Sequence, residues 1–193
     1  MHLIKSILLI SSFALTATVW GAEAVKPERH DIDPVHSSVT FQVRHLVSKL
    51  PGNFSEFSGF INFVPSNINE SKVSAKVKVN TVSTNNAKRD AHLNNPDFFA
   101  TAQYPDATFE STSWKQVAEN KYEVIGDLTI RGATRQTTFQ VTHAGTQVTP
   151  EKTVGGWSAI AGIKRSDFGI DYGSGMIGDD VTITIELETI VKK

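Results

Sequence analysis

From about residue 30 onward the chain alternates apolar and polar residues with a period of two. Three stretches do so without a break. Val73, Ala75, Val77 and Val79 alternate with Ser74, Lys76, Lys78 and Asn80; Phe139, Val141 and His143 alternate with Thr138, Gln140 and Thr142; Val181, Ile183, Ile185 and Leu187 alternate with Thr182, Thr184, Glu186 and Glu188. Each pattern turns one face of a strand to a dry interior and the other to water. Rougher versions cover residues 36–45, 54–64, 107–114, 122–130 and 155–163, so the chain is predicted to form eight strands. Turn residues separate them at Pro51-Gly52-Asn53, Pro65-Ser66-Asn67, Glu119-Asn120, Gly132-Ala133, Thr149-Pro150-Glu151 and Gly173-Ser174-Gly175.

Residues 81–105 break the pattern and are expected to leave the sheet as a helical plug after the third strand. Thr84, Asn85 and Asn86 offer oxygens for a helix N-terminus. Asn95 and Pro96 read as a second cap and first helical position, so two short helices are expected in succession. The remaining links are short and favour antiparallel neighbours. The predicted class is all-β: eight antiparallel strands that close into a barrel or split into a sandwich.

The inward parity assigns a lining strand by strand. It takes Phe41, Val43 and His45 from the first strand, Ile61 and Phe63 from the second, and Ala75, Val77 and Val79 from the third. Phe109, Leu128 and Ile130, Phe139 and Val141, then Ala159, Ala161 and Ile163, and finally Ile183 and Ile185 complete it. Gly59 and Gly126 share this parity. Small residues inside either leave room for a ligand or interlock with aromatic rings in a solid core, and the residues alone leave both open.

Motifs in the non-strand stretch carry a resemblance. Arg89-Asp90-x-His92-Leu93, followed by Asp97-Phe98-Phe99 and Tyr104-Pro105, is similar to the signature of the YceI-like family of secreted, lipocalin-like barrels that bind polyisoprenoid lipids. Further matches fall in the family's order: His36-Ser37 with Phe41 and His45; Gly52-x-Phe54 and Phe57-x-Gly59; Gly126-Asp127-Leu128-Thr129-Ile130-x-Gly132-x-Thr134; and Arg165-Ser166-Asp167-Phe168-Gly169. The resemblance spans about residues 30–190 and implies a hollow eight-stranded barrel. It also implies a long-chain polyisoprenoid ligand, such as a polyprenyl phosphate or an isoprenoid quinone.

Residues 1–24 read as a signal peptide: Lys5 gives a positive start, an apolar run follows, and cleavage is expected after Gly21 or after Ala24. Export to the periplasm is therefore expected, with residues 25–193 as one domain. A formal net charge of −1 gives no sign of a nucleic-acid partner, and the absence of cysteine excludes disulfides and thiolate chemistry.

No histidine pair has metal-ligand helical spacing, so neither a metal nor a cofactor beyond the lipid is expected. Arg89 and Asp90 are adjacent on a helix and point apart, so Arg89, Asp90, His92, Asp97, Phe98 and Phe99 are read as a structural signature that ties the plug to the rim. The expected activity is non-catalytic: a carrier, storage or sequestering protein that meets a membrane transiently to exchange lipid, as a monomer or homodimer. The alternative is a lipid-modifying hydrolase or isomerase that uses His92 or His45 as base.

Overall fold

The computed structural model describes residues 28–192, so the expected signal segment lies outside the described residues. The strand segments are β1 (Glu28–His45), β2 (Ser48–Phe54), β3 (Phe57–Phe63), β4 (Lys72–Lys78), β5 (Val82–Ser83), β6 (Asp106–Ala118), β7 (Lys121–Ile130), β8 (Ala133–Val148), β9 (Lys152–Lys164) and β10 (Ile177–Lys192). A single α-helix, α1 (Ala87–Leu93), joins them among the described residues. Neighbours run β10-β9-β8-β7-β6-β4-β3-β1, and β1 also pairs with β10, so a ring of eight antiparallel strands closes.

β2 and β5 lie outside this ring. β2 pairs with the second half of β1, from Val39–Phe54 to His45–Ser48, and β5 pairs with the end of β2. β2 and β3 are thus one strand interrupted at Ser55-Glu56, where both backbone N–H groups donate to Thr81 Oγ1. β4 and β5 are likewise interrupted by a 3-10 turn over Val79–Thr81. The eight patterned stretches and the ten segments describe the same wall.

Four local expectations are corrected. β1 begins at Glu28 rather than at residue 36, because Pro34 to Ser37 bulge out between the pairs Asp33–Glu188 and Ser38–Glu186. Pro51, Gly52 and Asn53 are strand residues opposite Gln42, Phe41 and Thr40. Gly52 is there to seat a ring, since a Cβ would lie 2.3 Å from Phe41. Pro51 is tolerated because β2 has a strand on only one side at that point. The hairpin instead turns at Leu46-Val47. Val82 and Ser83 belong to the sheet, so the excursion starts at Thr84.

The fourth correction concerns the second helix, which does not form. The N–H groups of Phe98 and Ala100 both reach Asn95 O, and Ala100 has φ 50, so the chain makes a tight turn rather than a further helical turn.

One end of the barrel is packed solid. Phe63, Trp114, Tyr122 and Trp157 meet there at ring separations from 5.0 to 6.3 Å, and His143 stacks on Trp157 at 4.3 Å. The indole N–H of Trp157 donates to Thr189 Oγ1, so the ring is buried without an unpaired donor. Further along, Phe109 stacks edge-on against Phe139 at 4.9 Å and lies over Gly126. Gly126 therefore leaves no void: Phe109 already fills the space.

A Cβ at residue 126 would come within 2.5 Å of Phe109 Cζ and 2.4 Å of Glu110 O. Gly126→Ala is expected to destabilise by about 1–3 kcal/mol in urea melts. A neutral result would mean that the ring does not rest on the bare backbone.

Burial holds the imidazoles of His30 and His143 in this floor below their ordinary value, and for His143 the neighbouring His30 adds to the effect. Folded-state values below the unfolded one mean that the unfolded chain takes up protons first as pH falls through about 6.5. Stability should therefore drop on acidification from about pH 7 toward pH 5 and level off once the folded values are passed. His143→Gln should flatten the drop in melting temperature. An equally steep curve in the variant would remove His143 from that account.

Candidate ligand cavity

Above the aromatic floor the interior is hollow, with a cavity volume of ≈ 170 Å³. Trp114, Val124, Val141, Trp157 and Ile61 line its base. Val73, Ala75 and Val77 of β4, Val79 of the turn after it, Phe109, Leu128, Ile130, Phe139, Ala159, Ile183, Ile185 and Leu187 line its sides. Phe41, Phe54 and Phe99 stand at the mouth, where Phe54 lies 5.6 Å from Phe41 and 6.1 Å from Phe99. The few polar lining residues are Thr40, Ser58, Lys76, Thr108 and Ser158. Val73, Val77, Ile183 and Ile185 face inward in mid-strand yet are only partly buried, because the surface they expose faces this space.

Five residues assigned to the lining lie elsewhere. Phe63 belongs to the aromatic floor, and Ala161 and Ile163 stand further along β9 opposite Ile183 and Val181; none of the three lines the cavity. Val43 and His45 sit further out on the β1–β2 hairpin, because strand alternation continues past the barrel's rim.

Other liners went unseen for equally local reasons. A bulge between Ser111 and Ser113 flips the parity of β6, which turns Trp114 inward. The break at Ser55-Glu56 does the same for Phe54.

The signature residues build the mouth without forming a convergent chemical site. Asn86 caps α1 by accepting from Arg89 N at 3.0 Å. Asp90 Oδ1 accepts from the backbone N–H and hydroxyl of Thr84, while the Arg89 guanidinium donates to Thr84 Oγ1 and O at 2.7 and 2.9 Å. Arg89 and Asp90 thus lock the loop onto Thr84, and among the described residues neither makes an ion pair to the rim. The tie to the rim is Arg131, whose guanidinium donates to Pro96 O at 2.8 Å and to Gly169 O.

His92 pairs with Asp97 at 2.9 Å and rests 5.0 Å from the rings of Phe98 and Tyr172, away from the cavity lining. Phe98 is buried on that side, and Phe99 reaches the cavity on the other.

Two further clusters depend on distant residues that sequence spacing does not connect. Arg165 is buried and donates to the carbonyls of Ile170, Tyr172, Ile177 and Gly178, which knots the loop before β10. On the outer wall, the β1 bulge brings His36 Nδ1 2.9 Å from Asp33 and 3.9 Å from Glu188. The shared hydrogen bond holds the Asp33 carboxyl below the usual carboxylate range and lifts His36 above its ordinary value. No helix among the described residues is long and apolar enough to cross a membrane.

The comparisons agree with this architecture. The family model of the YceI-like domain matches residues 30–189. Protein YceI of Escherichia coli O157:H7 is 34% identical over 191 residues, covering 98% of this chain and 100% of that protein. A UPF0312 protein of Yersinia pestis (strain Pestoides F) is 33% identical, covering 98% of each.

Among solved structures, Burkholderia cenocepacia BcnA superposes with a TM-score of 0.73 at 25% identity, covering 81% of this chain and 98% of its own. The Campylobacter jejuni YCEI protein gives 0.71 at 32%, covering 78% and 90%. A polyisoprenoid binding domain from Saccharophagus degradans, implicated in plant cell wall breakdown, gives 0.63 at 16%, covering 86% and 99%, and shares the fold. The chain belongs to the YceI-like family.

Proposed function

We propose that this protein is a periplasmic carrier that holds the chain of a long polyisoprenoid lipid inside the barrel, for transport, storage or sequestration. The observation that carries the reading is the set of inward, mid-strand aliphatic side chains that face open space rather than one another. A folded protein that leaves such surface unpacked forgoes dispersion and burial energy on every side chain involved. An apolar chain threaded between Val77, Ile183 and Ile185 would restore both. Each methylene-sized group so buried contributes about 0.8 kcal/mol, so several isoprene units suffice for tight binding after ordering costs.

The apolar lining suits the tail, and the ring of Phe41, Phe54 and Phe99 leaves the head group at the mouth. A polyprenyl phosphate and an isoprenoid quinone present the same tail to this lining. The fold shared with a polyisoprenoid binding domain supports a barrel of this kind as a lipid holder. Export rests on residues 1–24. The role needs no catalytic group, and His92 and His45, the bases of the alternative, lie outside the cavity lining.

Mass spectrometry of an organic extract of the purified native protein is expected to find an isoprenoid chain and to identify its head group. Val77→Trp tests the cavity itself, because the added ring would occupy the space of the tail. The variant should lose co-purified lipid while its delipidated form melts at or above the wild-type temperature. In a solid interior the same change would destabilise by about 1–3 kcal/mol, and that loss with lipid retained would sink the reading.

The mouth signature is proposed to be architectural. Asp90→Asn and His92→Ala should each cost about 0.5–2 kcal/mol and lower the melting temperature, with lipid still bound. Unchanged stability alongside a lost lipid-converting activity would favour the enzyme instead.

A further inference from the structure

The β1–β2 hairpin ends in a turn that its sequence does not favour. Two-residue hairpin turns call for Asn, Asp or Gly, because the backbone enters the left-handed region. Here the turn is Leu46-Val47, and Leu46 is held at φ 51. Val47 is 94% exposed and Leu46 57%. Met176, 56% exposed, adjoins them, with Leu46 N donating to its carbonyl at 2.8 Å. Strain and exposed apolar surface coincide at one point, and neither benefits the folded chain.

What lies behind the tip gives the combination a purpose. On the inner face of the hairpin, Val43 pairs with Leu50 on one side and Val181 on the other; one pair further in, Phe41 stands opposite Gly52 and Ile183. Phe41 and Ile183 line the cavity. An apolar track therefore runs from Val43 to the cavity, about 7 Å along the strand at about 3.3 Å per residue, and His45 with its partners Ser48 and Ile177 is the one step between it and the tip.

The outer face of the same hairpin places Arg44 directly opposite Lys49, both exposed. Like charges in that position destabilise a strand pair. Among the described residues no carboxylate is within ion-pair distance of either. Asp179 is taken up by the N–H and hydroxyl of Ser166, and Asp180 by Lys164.

We propose that this hairpin docks the protein on an anionic lipid bilayer. Leu46, Val47 and Met176 enter the interface, Arg44 and Lys49 meet the anionic head groups, and the apolar track passes the lipid tail between bilayer and cavity. The inference rests on the lipid-carrier reading for its purpose. Its surface chemistry, an apolar tip flanked by unpaired cations, fits a charged bilayer by itself.

The test is flotation of the full-length mature protein with phosphatidylcholine vesicles, with and without phosphatidylglycerol. Wild type should float with the anionic vesicles, less so at high salt. Val47→Asp should weaken partitioning about tenfold, as expected for withdrawing one aliphatic side chain from the interface. Arg44→Glu with Lys49→Glu should abolish the preference for anionic vesicles.

Leu46→Gly relieves the backbone as it removes the anchor, so it should melt at a higher temperature and float less. A tip that served only the fold would not move in opposite directions. None of the substituted residues lines the cavity, so each delipidated variant should still take up an isoprenoid lipid supplied in detergent, and failure of docking is separable from failure of the carrier reading. Wild type that stays unbound with both vesicle types would overturn the proposal. So would Val47→Asp floating like wild type, or a wild-type dimer that this change converts to monomer, which would make the tip a self-association face.

Discussion

A barrel with an empty middle cannot lean on its core, so its wall must hold itself, and here that depends on the ladder between β1 and β10. Those strands are the two ends of the described chain, and their pairing from Asp31–Ile190 to His45–Ile177 turns an open sheet into a ring. Closure satisfies the backbone groups that two free edges would expose and fixes the distance between opposite walls. Side chains on those walls then need not touch. The bulge at Pro34 to Ser37 interrupts this ladder, and there Ser37 Oγ accepts from Glu188 N and donates to Glu188 O, holding the two strands through a side chain instead.

The two ends of the ring meet different demands. At one, Phe63, Trp114, Tyr122 and Trp157 fill the bore and give the domain a conventional core. At the other, the cover is assembled from loops: α1 locked at Thr84, the turn at Pro96 tied by Arg131, and the segment before β10 knotted by Arg165. Arg165 and Arg131 act through carbonyl oxygens rather than carboxylates. Guanidinium forks suit irregular backbone, where several carbonyls converge and no ladder can form.

The wall was legible in the sequence because alternation is a local property that each strand repeats. Val73 to Val79, Phe139 to Val141 and Ile183 to Leu187 face as their pattern says. Where a single inserted residue flips the parity, the pattern misleads. Trp114 beyond the β6 bulge and Phe54 beyond the break at Ser55-Glu56 both line the cavity and were hidden for that reason. Alternation also cannot say where the barrel stops, which is why Val43 and His45 read as lining although they lie on the projecting hairpin. The role of Gly126 was ambiguous for a different reason. Whether a small residue opens a void or seats a ring depends on Phe109, its diagonal neighbour on the adjacent strand β6, a neighbour in space and not in sequence.

Small residues and aromatic rings together explain how a cavity survives in a chain that buries many large side chains. A ring whose outer atoms rest against bare backbone, as those of Phe109 do at Gly126 and those of Phe41 at Gly52, packs against the wall rather than across the bore. The wall is thickened from inside, and the centre stays open. Were residues 52 and 126 larger, Phe41 and Phe109 would have to swing inward, one into the mouth and the other across the middle. The glycines therefore act at a distance from any ligand: they set where the aromatic surface stands, and that surface sets the width of the channel between the floor and the mouth.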